Sequence, residues 1–204
     1  MARTPRKEPR QGRSKTLVDA ILIATARILP SRGVARATTN QIADLAGVSV
    51  GSLYQYFPDK DSIFARLIER ELARNEEVAI ERAEALRGAP LADVVHAVVD
   101  TVVDRLLDHG PLLRELMMHA HHLDKVQAVI ASRDRVQREL ARIFEDHPEV
   151  ARGRDLLRAA EICVSALMGV LQEVVLETRE QQEREAIKTE LTQMFVAYLR
   201  SPPG

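Results

Sequence analysis

Residues 38–60 read TTNQIADLAGVSVGSLYQYFPDK, and their order of small, turn-forming and apolar side chains decides the fold. Thr38 or Thr39 can cap a short helix whose free N–H groups need an oxygen acceptor. Ala43 offers a side chain small enough for a second helix to approach closely. Gly47 falls four residues later, where the chain must turn and a positive φ is expected. Ser49 then caps a second helix, and Ile42, Ala46, Val48 and Leu53 supply the apolar contacts of the crossing. Two short helices, at about 39–46 and 50–56, are therefore expected to cross over a tight turn as a helix-turn-helix.

The same stretch suits a nucleic-acid surface. Tyr54, Tyr56 and Phe57 are three of the chain's seven aromatics and lie within four residues. A tyrosine hydroxyl can donate to a phosphate while its ring rests on sugar or a thymine methyl, and Gln55 can pair with a base edge. Gly51 and Ser52 keep the helix face low enough for close approach to a groove. Asp59 reads as the cap of the next helix, which puts Lys60 in its first turn, where ammonium and free N–H groups can meet one phosphate. The bland alternative makes the tyrosines half-buried packing residues and Lys60 a solvated charge. The register of Ala43, Gly47 and the apolar positions weighs against it.

Charge points the same way. Net charge is −1, yet residues 1–60 carry 10 basic and 4 acidic side chains while residues 61–204 carry 19 and 26. A basic first quarter on an acidic remainder fits a polyanion bound at one end.

Outward from this stretch the sequence is helical throughout. Leu17, Ile21, Ala24 and Ile28 follow a helical face, as do Ile187, Leu191, Met194 and Tyr198. The Val-rich segment 91–108 resembles a strand, but Leu91, Val95, Val98, Val102 and Leu106 form one stripe, with Asp93, Asp100 and Asp104 elsewhere. Proline and glycine cluster between such segments. The expected fold is all-α, with about nine helices: 15–29, 39–46, 50–56, 60–87, 91–108, an element after Pro111, 124–146, 153–179 and 183–199. Three parts follow: a flexible basic arm over 1–13, a helix-turn-helix domain over 14–60, and a helical domain over 61–204. The helix starting at Lys60 reads as the only covalent link between the last two.

The residues Thr38-Thr39, Ile42-Ala43, Ala46-Gly47-Val48-Ser49, Gly51, Leu53-Tyr54, Tyr56-Phe57 and Lys60 closely resemble the DNA-binding domain of TetR-family transcriptional regulators. The resemblance covers roughly residues 15–65; beyond it the chain agrees only in length and helicity. It implies a homodimer, a three-helix DNA-binding head per subunit and a larger helical ligand-binding and dimerisation domain. It also implies repression of a palindromic double-stranded DNA operator, relieved by a small-molecule effector. Positions similar to family DNA contacts are Thr39, Asn40, Val50, Gly51, Ser52, Tyr54, Gln55, Tyr56 and Lys60. Thr39, Tyr54, Tyr56 and Lys60 would mostly hold phosphates, and Asn40, Val50, Ser52 and Gln55 could touch bases. Arg3, Arg6, Lys7, Arg10 and Arg13 could follow the backbone or enter the minor groove.

In the remainder, segment 153–179 carries two apolar stripes, one for its own core and one needing cover. With 183–199 it could form an intersubunit four-helix bundle, as the family does, with Leu167, Val170, Val174, Leu191, Met194 and Tyr198 as interface candidates. Met117 and neighbouring leucines can line an adaptable apolar cavity. Val98, Val102, Leu113, Met117, His121 and Met168 are the pocket candidates, for an effector that is apolar or mixed. His119 and His122 share a helical face, but two histidines without a third ligand do not make a metal site, so no metal or cofactor is expected.

Cys163 is the single cysteine, which excludes an intramolecular disulfide framework and fits a reducing cytoplasm. The uncharged run Ile162–Gln172 is too short to cross a bilayer, so no membrane partner is expected. No nucleophile elbow, phosphate loop or paired catalytic carboxylates support an enzyme. The rival reading is a DNA-binding architectural or assembly protein whose helical body takes another protein instead of a small ligand.

Overall fold

The computed structural model describes residues 12–120, 122–176 and 181–202. The described residues form ten helices and no strand. In order they are α1 (Gly12–Arg36), α2 (Thr39–Ala46), α3 (Val50–Tyr56), α4 (Lys60–Glu84), α5 (Leu91–Asp108), α6 (Gly110–Ala120), α7 (Val126–Glu145), α8 (Pro148–Ala151), α9 (Leu156–Leu176) and α10 (Gln181–Arg200). The helix beyond the expected nine is α8, a single turn with proline in its first turn, too short for periodicity to reveal.

The first helix does not stop at Leu29. It runs past Pro30 and breaks at Gly33 (φ 71°, ψ 164°), so that α1 is two helical pieces meeting at that glycine. Pro30 costs one hydrogen-bond rung, whereas the left-handed φ at Gly33 is what ends the helical path.

The chain divides into two compact units. One comprises 1–72 and 111–129, the other 73–110 and 130–204. The boundary falls inside α4 and α7 and just after the first residue of α6. The chain thus passes between units three times, and the expectation of α4 as the only covalent link is corrected.

In the first unit, Ile21, Leu22, Leu29, Ile42, Leu53, Phe57, Ile63, Phe64, Leu67 and Ile68 form a core that Leu112, Leu116 and Leu123 complete. Leu116 is wholly buried there, a burial worth about 1.5–3 kcal/mol. The helix-turn-helix thus shares its core with α6, a helix from the middle of the sequence.

In the second unit, α5 packs along α10 and also meets α9. Val99, Val103, Leu140, Phe144, Leu167, Leu171, Leu191 and Phe195 belong to its core. Lys188 of α10 is also buried, its Nζ 2.8 Å from Asp100, 2.7 Å from Asp104 and 3.0 Å from Glu185. Burial pulls its pKa down, but the hydrogen bonds to Asp100, Asp104 and Glu185 outweigh that and hold the ammonium above its ordinary value. This explains why the aspartates of α5 leave its apolar stripe: two of them neutralise a lysine on the facing helix.

Candidate nucleic-acid interface

The helix-turn-helix is held by local hydrogen bonds that the sequence spells out. Gln41 N–H donates to Thr38 Oγ1 (3.3 Å) while Thr38 N–H donates to Gln41 Oε1 (3.2 Å), a reciprocal capping box that selects Thr38 over Thr39. At the other end of α2, Gly47 takes a left-handed conformation (φ 67°, ψ 31°). Its N–H donates to Asp44 O (3.2 Å) and the Val48 N–H to Ala43 O (3.0 Å), which satisfies two carbonyls left over at the helix end. Ser52 N–H donates to Ser49 Oγ at 3.0 Å and begins α3. Ile42, Ala43 and Leu53 are fully buried at the crossing.

What remains outward is the candidate interface. Asn40, Gly51, Tyr54 and Gln55 are exposed, and Thr39, Val50, Ser52, Tyr56 and Lys60 are half-buried. Thr39 Oγ1 and Tyr54 OH lie 3.1 Å apart, so the two proposed phosphate holders form one polar cluster across α2 and α3. Ser52 Oγ lies 2.8 Å from Ser49 Oγ, its hydroxyl partly engaged in the cap. A Cβ added at Gly51 would meet only Ser49 Oγ, at 3.9 Å. Packing within the chain therefore does not demand that glycine, and a surface approaching from outside would account for it.

Tyr56 and Lys60 are both engaged within the chain. Tyr56 packs against the core and its hydroxyl donates to Ser14 Oγ at 3.1 Å. Asp59 caps α4 as expected, accepting from Ser62 N–H at 2.8 Å. Lys60 Nζ, however, turns to the end of α1 and donates to Val34 O (3.3 Å) and Ala35 O (3.5 Å). From the opposite charge, Glu115 Oε2 of α6 accepts from Val34 N–H at 3.1 Å. The end of α1, where the chain passes over to α2, is thus gripped by one ammonium and one carboxylate. A Cβ at Gly33 would lie 3.3 Å from Glu115 Oε2, a second reason for glycine there. Gln41 could have been found from the T-x-x-Q spacing. Glu115, 81 residues from its partner, carries no local signal.

The candidates in the second half scatter. Val98 lines a small apolar cavity and Val102 packs on the second core, whereas Leu113 is buried in the first unit. Met168 is 38% exposed on α9 and is not among the residues lining that cavity. The Met117 side chain and His121 lie outside the described residues. Among the interface candidates, Leu167 and Leu191 turn into the chain's own core, a correction that follows from their burial at 7% and 4% exposure. Val170 and Met194 are exposed, and Tyr198 is half-buried beneath Arg154, whose guanidinium lies 4.7 Å from its ring centroid. The Val174 side chain is outside the described residues, as are Arg3, Arg6, Lys7, Arg10 and the Arg13 side chain. Among the described residues no group of three or more His, Cys, Asp or Glu could hold a metal, and no helix is long and apolar enough to cross a membrane.

Comparison with known proteins agrees with this architecture. Residues 21–67 match the family model for bacterial regulatory proteins of the tetR family, and residues 90–199 match that for the tetracyclin repressor-like C-terminal domain. The HTH-type transcriptional repressor BepR of Brucella suis is 35% identical over 81 residues, covering 40% of this chain and 39% of BepR. The nucleoid occlusion factor SlmA of Actinobacillus pleuropneumoniae is 34% identical over 88 residues, 43% of each chain. The matches thus span less than half the length of these two relatives. A crystal structure described as a putative TetR-family transcriptional regulator from Mesorhizobium loti superposes with a TM-score of 0.78 at 18% identity, covering 92% of this chain and 98% of that one, and shares its fold. With a C-terminal family model spanning more than half of the chain and the N-terminal model lying on the helix-turn-helix, this protein belongs to the TetR family.

Proposed function

We propose that this chain is a DNA-binding transcriptional regulator, a repressor that leaves a palindromic operator when its second unit takes up a small molecule. The observation that carries the DNA-binding part is the outward face of α3: Gln55 and Tyr54 stand exposed beside a glycine that the chain's own packing does not require. Gln55 and Asn40 read base edges. Tyr54 and Thr39 hold phosphate together, and Tyr56 and Lys60 set the position of the link and of α4 while adding to the backbone contact. This role places the protein with the chromosome, in the cytoplasm.

A homodimer completes the site, since two recognition helices about one DNA turn apart match a two-fold operator. The surface available for it keeps Val170 and Met194 of the expected interface and adds Ile162 and Met168. Ile162, Met168 and Val170 on α9 and Met194 on α10 are large apolar side chains left between 37% and 46% exposed. Gly169 lies on the same helix with open space where a Cβ would stand. Such a face suits an isologous helix pair from a second copy.

The test is selection of genomic fragments by the purified protein followed by footprinting. A protected inverted repeat with a steep inverse salt dependence supports the reading. Full affinity for a single unpaired half-site overturns it. The similarity to the nucleoid occlusion factor keeps one other reading in view, a DNA-bound body that engages a protein. Operator affinity that no small molecule alters, with a protein co-purifying on the operator, would favour that reading.

A further inference from the structure

The second piece of α1 is a short helical stretch with a charge at each end. Gly33 (φ 71°, ψ 164°) occupies backbone space that is essentially reserved for glycine, and the helix restarts behind it with the Ala37 N–H donating to Gly33 O at 3.2 Å. A restarted helix leaves its first N–H groups without carbonyl partners. Here Glu115 Oε2 accepts from the Val34 N–H, and at the carbonyl end Lys60 Nζ donates to Val34 O and Ala35 O. The carboxylate and the ammonium thus stand where the dipole of this short stretch favours each of them.

Glu115 is itself held in place. Leu112 and Leu116, on the same helix, are buried in the core of this unit. His119 Nε2, one turn along α6, lies 3.9 Å from the same Glu115 Oε2. What the carboxylate holds leads straight to the outward face. Ala37 is buried, Thr38 caps α2, and Thr39 and Asn40 begin that helix. Thr39 Oγ1 in turn lies 3.1 Å from Tyr54 OH of α3. Freedom gained at Val34 is therefore passed on to Thr39 and Asn40, whereas Gln55 stays fixed by α3.

We propose that Glu115 is a positioning residue for DNA binding: by holding the Val34 N–H it sets where Thr39 and Asn40 meet the DNA. By its charge alone a carboxylate in a polyanion-binding unit opposes binding, so the sign of its effect separates the two roles. This deepens the DNA-binding reading and rests on it for its meaning at the operator, but not for the local order it describes.

The test uses the full chain carrying Glu115→Ala, Glu115→Gln or Glu115→Asp, at a temperature where circular dichroism shows wild-type helicity. The probe is a labelled duplex carrying the inverted repeat recovered by footprinting. Glu115→Ala should weaken binding about tenfold, the scale of one hydrogen bond to a charged group. Its salt slope should match wild type, since no phosphate contact is lost. Glu115→Gln keeps an oxygen for the Val34 N–H and should restore most of the affinity, whereas Glu115→Asp, one methylene shorter, should behave as Glu115→Ala. In the free protein, amide hydrogens over residues 34–40 should exchange about tenfold faster in Glu115→Ala and Glu115→Asp than in wild type or Glu115→Gln.

Unchanged operator affinity in Glu115→Ala, tighter binding by both Glu115→Ala and Glu115→Gln, or unchanged exchange over 34–40 would each overturn the proposal. If Glu115→Ala does not fold, Glu115→Gln and Glu115→Asp decide by the same measurements. Wild-type protein that protects no operator removes the regulator reading, and the exchange rates still decide the grip. Operator binding that is equally tight in wild type and all three variants removes the positioning role alone.

Discussion

The two units of this chain are both helical, but they are specified at different ranges. Around the helix-turn-helix, side chains three residues apart close caps: Thr38 with Gln41, Ser49 with Ser52, Asp59 with Ser62. In the second unit the determining contacts span long separations, as between Lys188 of α10 and Asp100 and Asp104 of α5. Its apolar surface also divides between a core and an exposed face on the same helices. A motif built from local rules has to present the same shape to DNA in every copy. A body built from long-range packing can change its lining while the fold persists, and that difference is what the largest predicted effects probe.

The strongest contrast lies within α9 and α10. Leu167→Glu puts a charge into the chain's own core and should cost several kcal/mol, enough to unfold the second unit. Met194→Glu acts on an exposed side chain. It should leave the monomer folded by circular dichroism while halving the mass seen by light scattering. If both variants unfold alike, the division of these helices into inner and outer faces is wrong.

On the DNA side the expected effects are smaller and separable. Gln55→Ala should lose about 1–3 kcal/mol of discrimination at one or two base pairs, measured by competition among operator variants. Lys60→Gln should weaken binding to all sequences and also lower the urea midpoint, because its ammonium holds the carbonyls of Val34 and Ala35. A Lys60→Gln protein of unaltered stability would return this lysine to a purely phosphate-binding role.

Backbone and cap substitutions come next. Gly47→Ala should cost about 1–2 kcal/mol through its left-handed φ alone, since nothing lies within 4 Å of the new Cβ. Gly33→Ala should cost more, because φ is again positive and Glu115 Oε2 stands 3.3 Å away. Ser49→Ala should cost about 1 kcal/mol. Urea denaturation followed by circular dichroism ranks the three.

The comparison also explains what could be read in advance. The helix-turn-helix was legible because each cap, turn and small residue acts within a few positions of its partner. The 91–108 helix was placed at its observed limits because proline and glycine bracket a clean stripe. The carboxylate grip of Glu115 on Val34 could not be read, since nothing in sequence couples residues 81 apart. Nor could the inner face of α9, where Ala160, Cys163, Val164, Leu167 and Leu171 are buried. When most of a helix is apolar, periodicity alone does not say which half meets the core. The choice is made by α5 and α10, which the segment's own sequence does not contain.

The smallest expected effect is one of pH, and it has opposite sign in the two units. Burial alone would raise the Glu69 carboxyl, but hydrogen bonds from Lys125 and Arg66 outweigh it and hold the group below its ordinary value of 4.5. A depressed acid stabilises the fold above that value and loses the contribution as pH falls through the folded one. Glu69 is also partly exposed, so the bridge is worth less than about 1 kcal/mol. Lys188 behaves inversely. Its pKa is raised above the ordinary 10.5, so its contribution is complete below 10.5 and fades only as pH climbs through the folded value. Between pH 6 and 9 neither group changes protonation, and the stability differences from wild type of Glu69→Gln and Lys188→Met should be flat there. On acidification below 4.5 the Glu69→Gln difference should close, whereas the Lys188→Met difference should close only above 10.5. Urea midpoints across the pH range measure both curves. A Lys188→Met difference that already shrinks between pH 7 and 9 would mean that the three carboxylates fail to hold the buried ammonium, and that long-range packing in the second unit is looser than its hydrogen bonds imply.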